Sequence, residues 1–252
     1  MTDMPILDNH INWDELGRLG RLRAVIDPHD VRGLKNILID RVHWLALRNE
    51  LRQSKTVLDF GCGTGRFSRR IAKMGIEYFG IDPSADMIKS AQEWNPKGRF
   101  QIFDDLKIPL ADGNIDTVIV GCVFVHLLKK PKSERILKEI FRVLKPGGHL
   151  ILLEEASLSG KKSGQTQVTL TEKDFTSALS KDFEIQSLRK VRSSEFSKFS
   201  RWLTEGGPMP YFMFRLILTP LSWFEAVRAA RLTNVYYTRV TYYDFLIHAR
   251  KP

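Results

Sequence analysis

The sequence predicts an α/β fold with a mostly parallel sheet covered on both faces. Three observations predict it. Between Lys55 and Val191 short apolar runs alternate with helical patterns, the signature of strands joined by crossover helices. A chain of 252 residues that is 43% hydrophobic holds enough apolar side chains for a sizeable core. Three glycines directly follow the first strand candidate and lead into a helical pattern, the sharp turn such sheets use at a ligand-binding edge.

Taken in order, the first 53 residues carry helical patterns without strand alternation. VRGLKNILIDRVHWLALRNEL sets Leu34, Ile37, Leu38, Val42 and Leu45 on one side, which reads as a helical cap over a sheet edge or over a substrate. TVLDF is the first strand, RFSRRIAKMG a helix closed by Gly75, IEYFGID the second strand and ADMIKSAQEW a helix after Pro83. RFQIFD, DTVIVGCVF and HLILLEEA follow as strands, and SERILKEIFRVLKPGG reads as one amphipathic helix stopped by Pro146 and two glycines. FEIQSLRKV and the alternating VTYYDFLIHARK are the last two strands, separated by an insertion rich in arginines and aromatics. The organisation expected is one domain: cap 1–53, core 54–191 with 239–252, and a helical insertion 192–238 that serves as an acceptor lid.

Composition excludes several classes. Aromatic content of 10% with ordinary glycine and proline counts argues against a disordered or collagenous chain. The two cysteines, Cys62 and Cys122, sit in no CxxC pair, so neither a zinc site nor a disulfide framework is expected, and no metal is predicted. The amino end is polar and acidic, unlike a signal peptide. The apolar stretch from Tyr211 to Phe224 is broken by Arg215 and Pro220 and is shorter than the ~20 residues of a spanning helix. The expected location is cytoplasmic, with peripheral contact at the inner face of a membrane as a further expectation.

The chemistry is concentrated in Val57-Leu-Asp-Phe-Gly-Cys-Gly-Thr-Gly-Arg66. A dinucleotide fingerprint counted from Gly61 needs glycine where Arg66 stands, which would obstruct close packing over a pyrophosphate. Asp59 places a carboxylate beside the ligand, where it suits a cationic amino group and repels an anion. Asp82, about 20 residues on at the end of the next strand, can accept from both ribose hydroxyls. Asp104 and Asp105, after the third strand, can accept from an exocyclic adenine amine. The ligand these features describe together is a nucleoside carrying a positive charge.

VLDFGCGTGRFSRRIAKMG, YFGIDPSADMIKSAQ, FDDLKIPLADGNIDTVIV and FRVLKPGGHLILLE resemble the ordered motifs of class I S-adenosylmethionine-dependent methyltransferases. The resemblance covers roughly 56–155 and implies a Rossmann-like sheet of seven strands with the last antiparallel, and S-adenosyl-L-methionine as cofactor. It also implies that Asp59, Gly61, Cys62 and Gly63 face the methionine part, Asp82 the ribose, Met87 the adenine face, and Asp104 with Asp105 the adenine edge. Gly121 and Cys122 would border the methyl group. IDPHDVRGLKNILIDRVH resembles the amino-terminal part of bacterial methyltransferases of surface-polysaccharide pathways.

For the acceptor, His126 is the leading base, because family members often place a histidine there and its ordinary pKa of ~6.5 suits proton transfer near neutrality. Glu154 and Glu155 at the end of the fifth strand, and His29 in the cap, are further candidates. The Asn/Asp-Pro-Pro-aromatic run of nucleobase amino methyltransferases is replaced by Gly121-Cys122-Val123-Phe124. Cys122 follows glycine, which suits a small side chain lining the site better than a nucleophile. The expectation is O-methylation of a small-molecule, glycan or lipid-linked hydroxyl.

From Lys181 to the carboxyl end the chain has 12 basic and 6 acidic residues, a large share of its net charge of +10. An amphipathic lid against a membrane and a packed subdomain with a solvated basic side both fit this better than a nucleic-acid face, since the aromatics are embedded among Leu, Ile and Met. RNA-directed methylation or RNA binding remains the first alternative, and a non-catalytic cofactor-binding interaction module the second.

Overall fold

The computed structural model describes residues 12–103, 107–128, 130–157, 160, 170–193, 210–231 and 242–252. Seven strands form one sheet in the order β3-β2-β1-β4-β5-β7-β6. These are β1 (Thr56–Phe60), β2 (Glu77–Asp82), β3 (Arg99–Ile102), β4 (Ile115–Gly121), β5 (Leu144–Ser157), β6 (Glu184–Ser193) and β7 (Tyr242–Arg250). β1 to β5 pair in parallel, whereas β7 runs antiparallel to both β5 and β6.

Because side chains alternate along a strand, each strand feeds two cores. Leu58, Phe60, Val118, Val120, Leu150, Leu152, Phe245 and Ile247 lie in one, under α6 (Ser133–Val143) and α7 (Glu172–Leu179). Val57, Ile119, Ile151, Leu153 and Leu246 lie in the other, under α2 (Leu34–Leu47), where Phe214 of a late helix, α8 (Tyr211–Arg231), also packs. Burial on both faces explains why the strands read as near-continuous apolar runs.

The helices follow from local chemistry. α2 begins after Gly33, which is left-handed, and the Asp30 carboxylate accepts from the backbone N–H groups of Gly33 and Asn36 (3.0 and 2.8 Å), doing the work of a side-chain cap. α4 (Ala85–Trp94) is capped by Ser84, and α7 by a Thr171–Asp174 capping box. The shorter α1 (Trp13–Gly17), α3 (Ser68–Ala72) and α5 (Phe124–Leu127) complete the set.

Three boundaries differ from expectation. The helix expected to be stopped by Pro146 and the two glycines ends sooner, at Val143: Leu144 is already extended, and Lys145-Pro-Gly-Gly lies inside β5, where the register with β4 shifts. Gly148 is needed there because a Cβ would sit 2.9 Å from the Lys145 carbonyl oxygen. The helix expected over 66–75 is regular only from Ser68 to Ala72, because Phe67 and Arg66 are drawn into the interior. The fourth strand stops at Gly121 instead of continuing to Phe124, since Cys122 has a φ of 59° and turns the chain into α5.

Candidate active site

At the carboxyl end of β1 the chain turns through Gly61 and Gly63, both left-handed (φ 71° and 51°). Both positions also lack room for a side chain: a Cβ on Gly61 would lie 2.3 Å from a Val123 methyl, and one on Gly63 2.6 Å from a Val25 methyl. The backbone N–H groups of Gly61 and Cys62 donate to the Ile81 carbonyl (2.8 and 3.0 Å), fastening the turn to β2. The buried Asp82 carboxylate accepts from Gly63 N–H (2.9 Å) and Ser84 N–H (3.0 Å), so one side chain ties the glycine turn to the start of α4. Met87, on the first turn of α4, is fully buried with its sulfur beside Gly63. The Cys62 thiol is buried under the turn, and burial raises its pKa well above the ordinary value, so it is an inert filler. Asp104 and Asp105 lie outside the described residues.

Asp59 is buried and accepts from the Tyr78 hydroxyl (2.8 Å). Burial pushes its pKa up to about 7, against the lowering pull of Tyr78 and of Arg66. A buried acid held so weakly in its charged form suits a cationic ligand group beside it. The cap closes over this edge: Thr64 donates to the Arg21 carbonyl (2.6 Å), Ser84 to Asp14 (2.5 Å), and Trp13 meets His126 edge-on with ring centroids 5.3 Å apart.

Strand alternation sends the two adjacent glutamates in opposite directions. Glu154 is fully buried, and its carboxyl accepts from the backbone N–H groups of Val123, Phe124 and Val125 (3.0, 2.9 and 3.1 Å). It therefore caps α5 and is not available to an acceptor, which corrects its reading as a possible base. Burial still pushes its pKa up to about 8 against those three donors. Glu155 faces the α2 side, and its Oε1 is buried with no hydrogen-bond partner among the described residues. Burial, then the Asp244 carboxylate, pushes its pKa up to about 7, while Arg192 and Lys35 pull it down. Lys35 is itself ion-paired with Asp27.

A buried charged chain runs past the same rim. Arg66 Nη1 donates to His43 Nδ1 (3.2 Å), His43 Nε2 donates to Asp244 Oδ2 (2.6 Å), and Arg192 grips Asp244 through Nε and Nη2 (2.6 and 2.9 Å). Burial and the flanking arginines hold the His43 pKa below its ordinary value. With Nδ1 accepting and Nε2 donating, the neutral ring is fully satisfied. Gly121 leaves room for Arg66, whose Nη2 is 3.3 Å from where a Cβ would stand. Cys122 N–H donates to the Leu153 carbonyl (2.9 Å). The Cys122 thiol pKa is raised by burial and by Glu154, which leaves it non-ionising.

His126, on α5, is exposed, yet desolvation by the protein beside it, with Lys130, lowers its pKa. His29 is exposed, and its backbone N–H donates to Asp27 (2.9 Å). His43, Lys35, Arg192 and Asp244 are not singled out by any sequence motif. The available signals were a histidine on the apolar face of α2 and an aspartate inside the apolar run YYDFLIHA.

A family model for a methyltransferase domain matches residues 58–152. An uncharacterised methyltransferase of Oceanobacillus iheyensis is 30% identical over 147 residues, 57% of this chain and 68% of that protein. The chain belongs to the class I S-adenosylmethionine-dependent methyltransferases. A second uncharacterised methyltransferase, from Mycobacterium sp. (strain JLS), is 31% identical over 109 residues, 43% of this chain and 42% of that protein. The chain spans about two-fifths of the length of the first curated relatives it matches.

Solved structures share the fold at lower identity. A SAM-dependent methyltransferase from Aquifex aeolicus matches with a TM-score of 0.59 at 15% identity, over 96% of this chain and 100% of that one. The Haemonchus contortus phosphoethanolamine N-methyltransferase 2, in complex with S-adenosyl-L-methionine, matches with a TM-score of 0.58 at 17% identity, over 85% and 52%. The [4+2]-cyclase SpnF matches with a TM-score of 0.56 at 23% identity, over 84% and 81%, so the architecture alone does not fix the reaction.

The cofactor of this methyltransferase is S-adenosylmethionine, and the residues at the glycine turn fit it. Asp59 would offer a buried acid to the amino group, Asp82 a carboxylate pinned by two backbone N–H groups to the ribose, and Met87 a buried apolar floor.

Proposed function

We propose that this methyltransferase acts on a hydroxyl group, with Glu155 taking the hydroxyl proton. The supporting observation is the Oε1 of Glu155 at the end of β5, buried and without a hydrogen-bond partner among the described residues, on the side of the Arg66–His43–Asp244 chain. Bound S-adenosylmethionine supplies an activated methyl group, so the protein's own work is to hold the acceptor, exclude water and remove a proton. Asp59, Gly61, Cys62, Gly63, Asp82 and Met87 serve the cofactor, with Gly121 and Cys122 walling the methyl side. An alcohol is far too weak an acid to ionise unaided near neutrality, and a carboxylate whose conjugate acid has a pKa of about 7 accepts its proton as the oxygen becomes an ether. Glu155 must be ionised to act, so turnover rises with pH through the region of 7 and then levels off.

Lys35 and Arg192 put positive charge beside Glu155, which suits a polar or anionic acceptor such as a phosphorylated sugar or a lipid-linked glycan. His126 with Trp13 borders the acceptor on the α5 side.

Extract of the source cell incubated with isotopically labelled methyl donor, read by mass spectrometry, identifies the product. An O-methyl product is expected, and a product methylated on nitrogen or carbon overturns the reading. Glu155→Gln is expected to lower turnover by ~10²-fold or more and to flatten its pH dependence, with cofactor affinity unchanged. Turnover within twofold of the parent removes Glu155 from the chemistry. His126→Ala, measured alongside, is expected to raise KM more than it lowers kcat.

A further inference from the structure

α8 packs against the sheet with one face and leaves an apolar face uncovered. Phe214 and Glu225 are fully buried on the inner side, where Glu225 accepts from Ser193 N–H (3.1 Å). On the outer side Phe212, Met213, Leu216, Trp223 and Phe224 are exposed, Leu216 at 74% and Trp223 at 63%. Their spacing aligns them along one side of about three helical turns, roughly 18 Å. Soluble proteins seldom leave so many large apolar side chains together in water unless the surface has a partner.

Beside this face α8 and α2 enclose a groove of about 360 Å³ lined by Arg41, Leu45, Arg48, Thr219, Pro220 and Trp223. Both charged side chains lining it are arginines. Arg41 Nε is buried and makes no hydrogen bond to the described residues, so a donor points at an acceptor that those residues do not supply. The apolar stripe and the guanidinium pair therefore lie next to each other on one surface. No helix among the described residues is long and apolar enough to cross a membrane.

We infer that the α8 face is a docking surface for an anionic lipid bilayer, with the apolar stripe seated among acyl chains and Arg41 and Arg48 at the level of the lipid phosphates. The charge and the apolar surface match a bilayer interface, which is apolar inward and negative at its rim. The net charge of +10 acts in the same direction over longer range. α2 links this surface to the active site: Arg41, Leu45 and Arg48 line the groove, and His43 reaches into the buried charge chain.

The test is co-sedimentation of the full chain with vesicles of phosphatidylcholine alone and of phosphatidylcholine with 30% phosphatidylglycerol at physiological salt. The parent is expected to bind the anionic vesicles at least tenfold more tightly than the neutral ones. Leu216→Asp with Trp223→Ser is expected to weaken that binding at least tenfold. Because both side chains are exposed, its unfolding temperature and S-adenosylhomocysteine affinity should stay at parental values. Arg41→Glu with Arg48→Glu is expected to remove the preference for anionic lipid, roughly fivefold for each arginine. Parent protein left in the supernatant with anionic vesicles overturns the inference, as does undiminished binding by the Leu216/Trp223 variant. A dimer in light scattering that the same variant dissolves would assign the face to a second copy and equally overturn it, and so would binding to an RNA oligonucleotide with none to vesicles.

Discussion

Replacing Glu154 separates a structural carboxyl from a catalytic one. Its Oε1 accepts two backbone N–H groups and its Oε2 a third. Glu154→Gln keeps the shape and one acceptor oxygen, but its amide nitrogen then faces the Val125 N–H, donor against donor. One lost hydrogen bond with a poorly satisfied donor costs about 1–3 kcal/mol. Glu154→Ala strips the acceptor from all three N–H groups at the start of α5 and opens a cavity, an expected loss of about 3–5 kcal/mol. That is a large share of the ~5–15 kcal/mol that holds a domain together.

The readout is urea unfolding followed by circular dichroism at several pH values. Because the folded pKa of about 8 lies above the ordinary 4.5, the unfolded chain loses its proton first as pH rises. Stability from this group is thus fully present below about pH 4.5 and is lost progressively up to about pH 8. Glu154→Gln should remove that share of the pH dependence. If Glu154→Ala unfolds within 1 kcal/mol of the parent, the carboxyl is not what orders α5, and the capping argument fails.

The cofactor end offers two further measurements. Asp82→Ala releases Gly63 and Ser84 together and removes the ribose acceptor, so calorimetric titration should show S-adenosylhomocysteine affinity reduced by ~10–100-fold; unchanged affinity would detach Asp82 from the site. Asp59→Asn keeps an acceptor for the Tyr78 hydroxyl and discards a carboxyl whose folded pKa of about 7 exceeds the ordinary 3.8. Ionisation of Asp59 opposes folding increasingly from pH 3.8 to 7, so the variant should melt at a higher temperature at pH 8 without ligand while binding cofactor more weakly. A lower melting temperature with parental affinity would reverse both assignments.

What could be read from the sequence was what neighbouring residues decide. The succession of strands and helices from β1 to β5, the glycine turn and the carboxylates at the ends of β1 and β2 all lie within one stretch of about 100 residues and are set by local spacing. The end of α6 was misread because Lys145-Pro-Gly-Gly is a helix stop by local propensity, yet tertiary pairing with β4 makes it the start of a strand. Glu154 and Glu155 look equivalent as letters, and only the phase of β5, set by which of its residues pack under α6, sends them to opposite faces. His43 and Asp244 are 201 residues apart, and no local pattern announces a contact that depends on β7 being inserted antiparallel beside β5.

That inserted strand also sets the electrostatics of the rim. Asp244 is the cross-strand partner of Glu155, which brings two buried acids into one low-dielectric site. The donors are shared unequally: Arg192 and His43 both bind Asp244 and hold it well below the usual carboxylate range, while Glu155 Oε1 has no such donor among the described residues and is pushed up. Two acids driven apart in this way produce one permanent charge and one proton acceptor near neutrality. Asp244→Asn removes the negative charge beside Glu155 and frees Arg192 to approach it, and both effects favour the ionised form. The rising limb of turnover against pH should then move to lower pH by ~1 unit, with a stability loss of about 3–5 kcal/mol from breaking the buried Asp244–Arg192 ion pair. A rising limb that stays in place while stability falls would show that Asp244 only anchors β7, and that the proton is taken elsewhere.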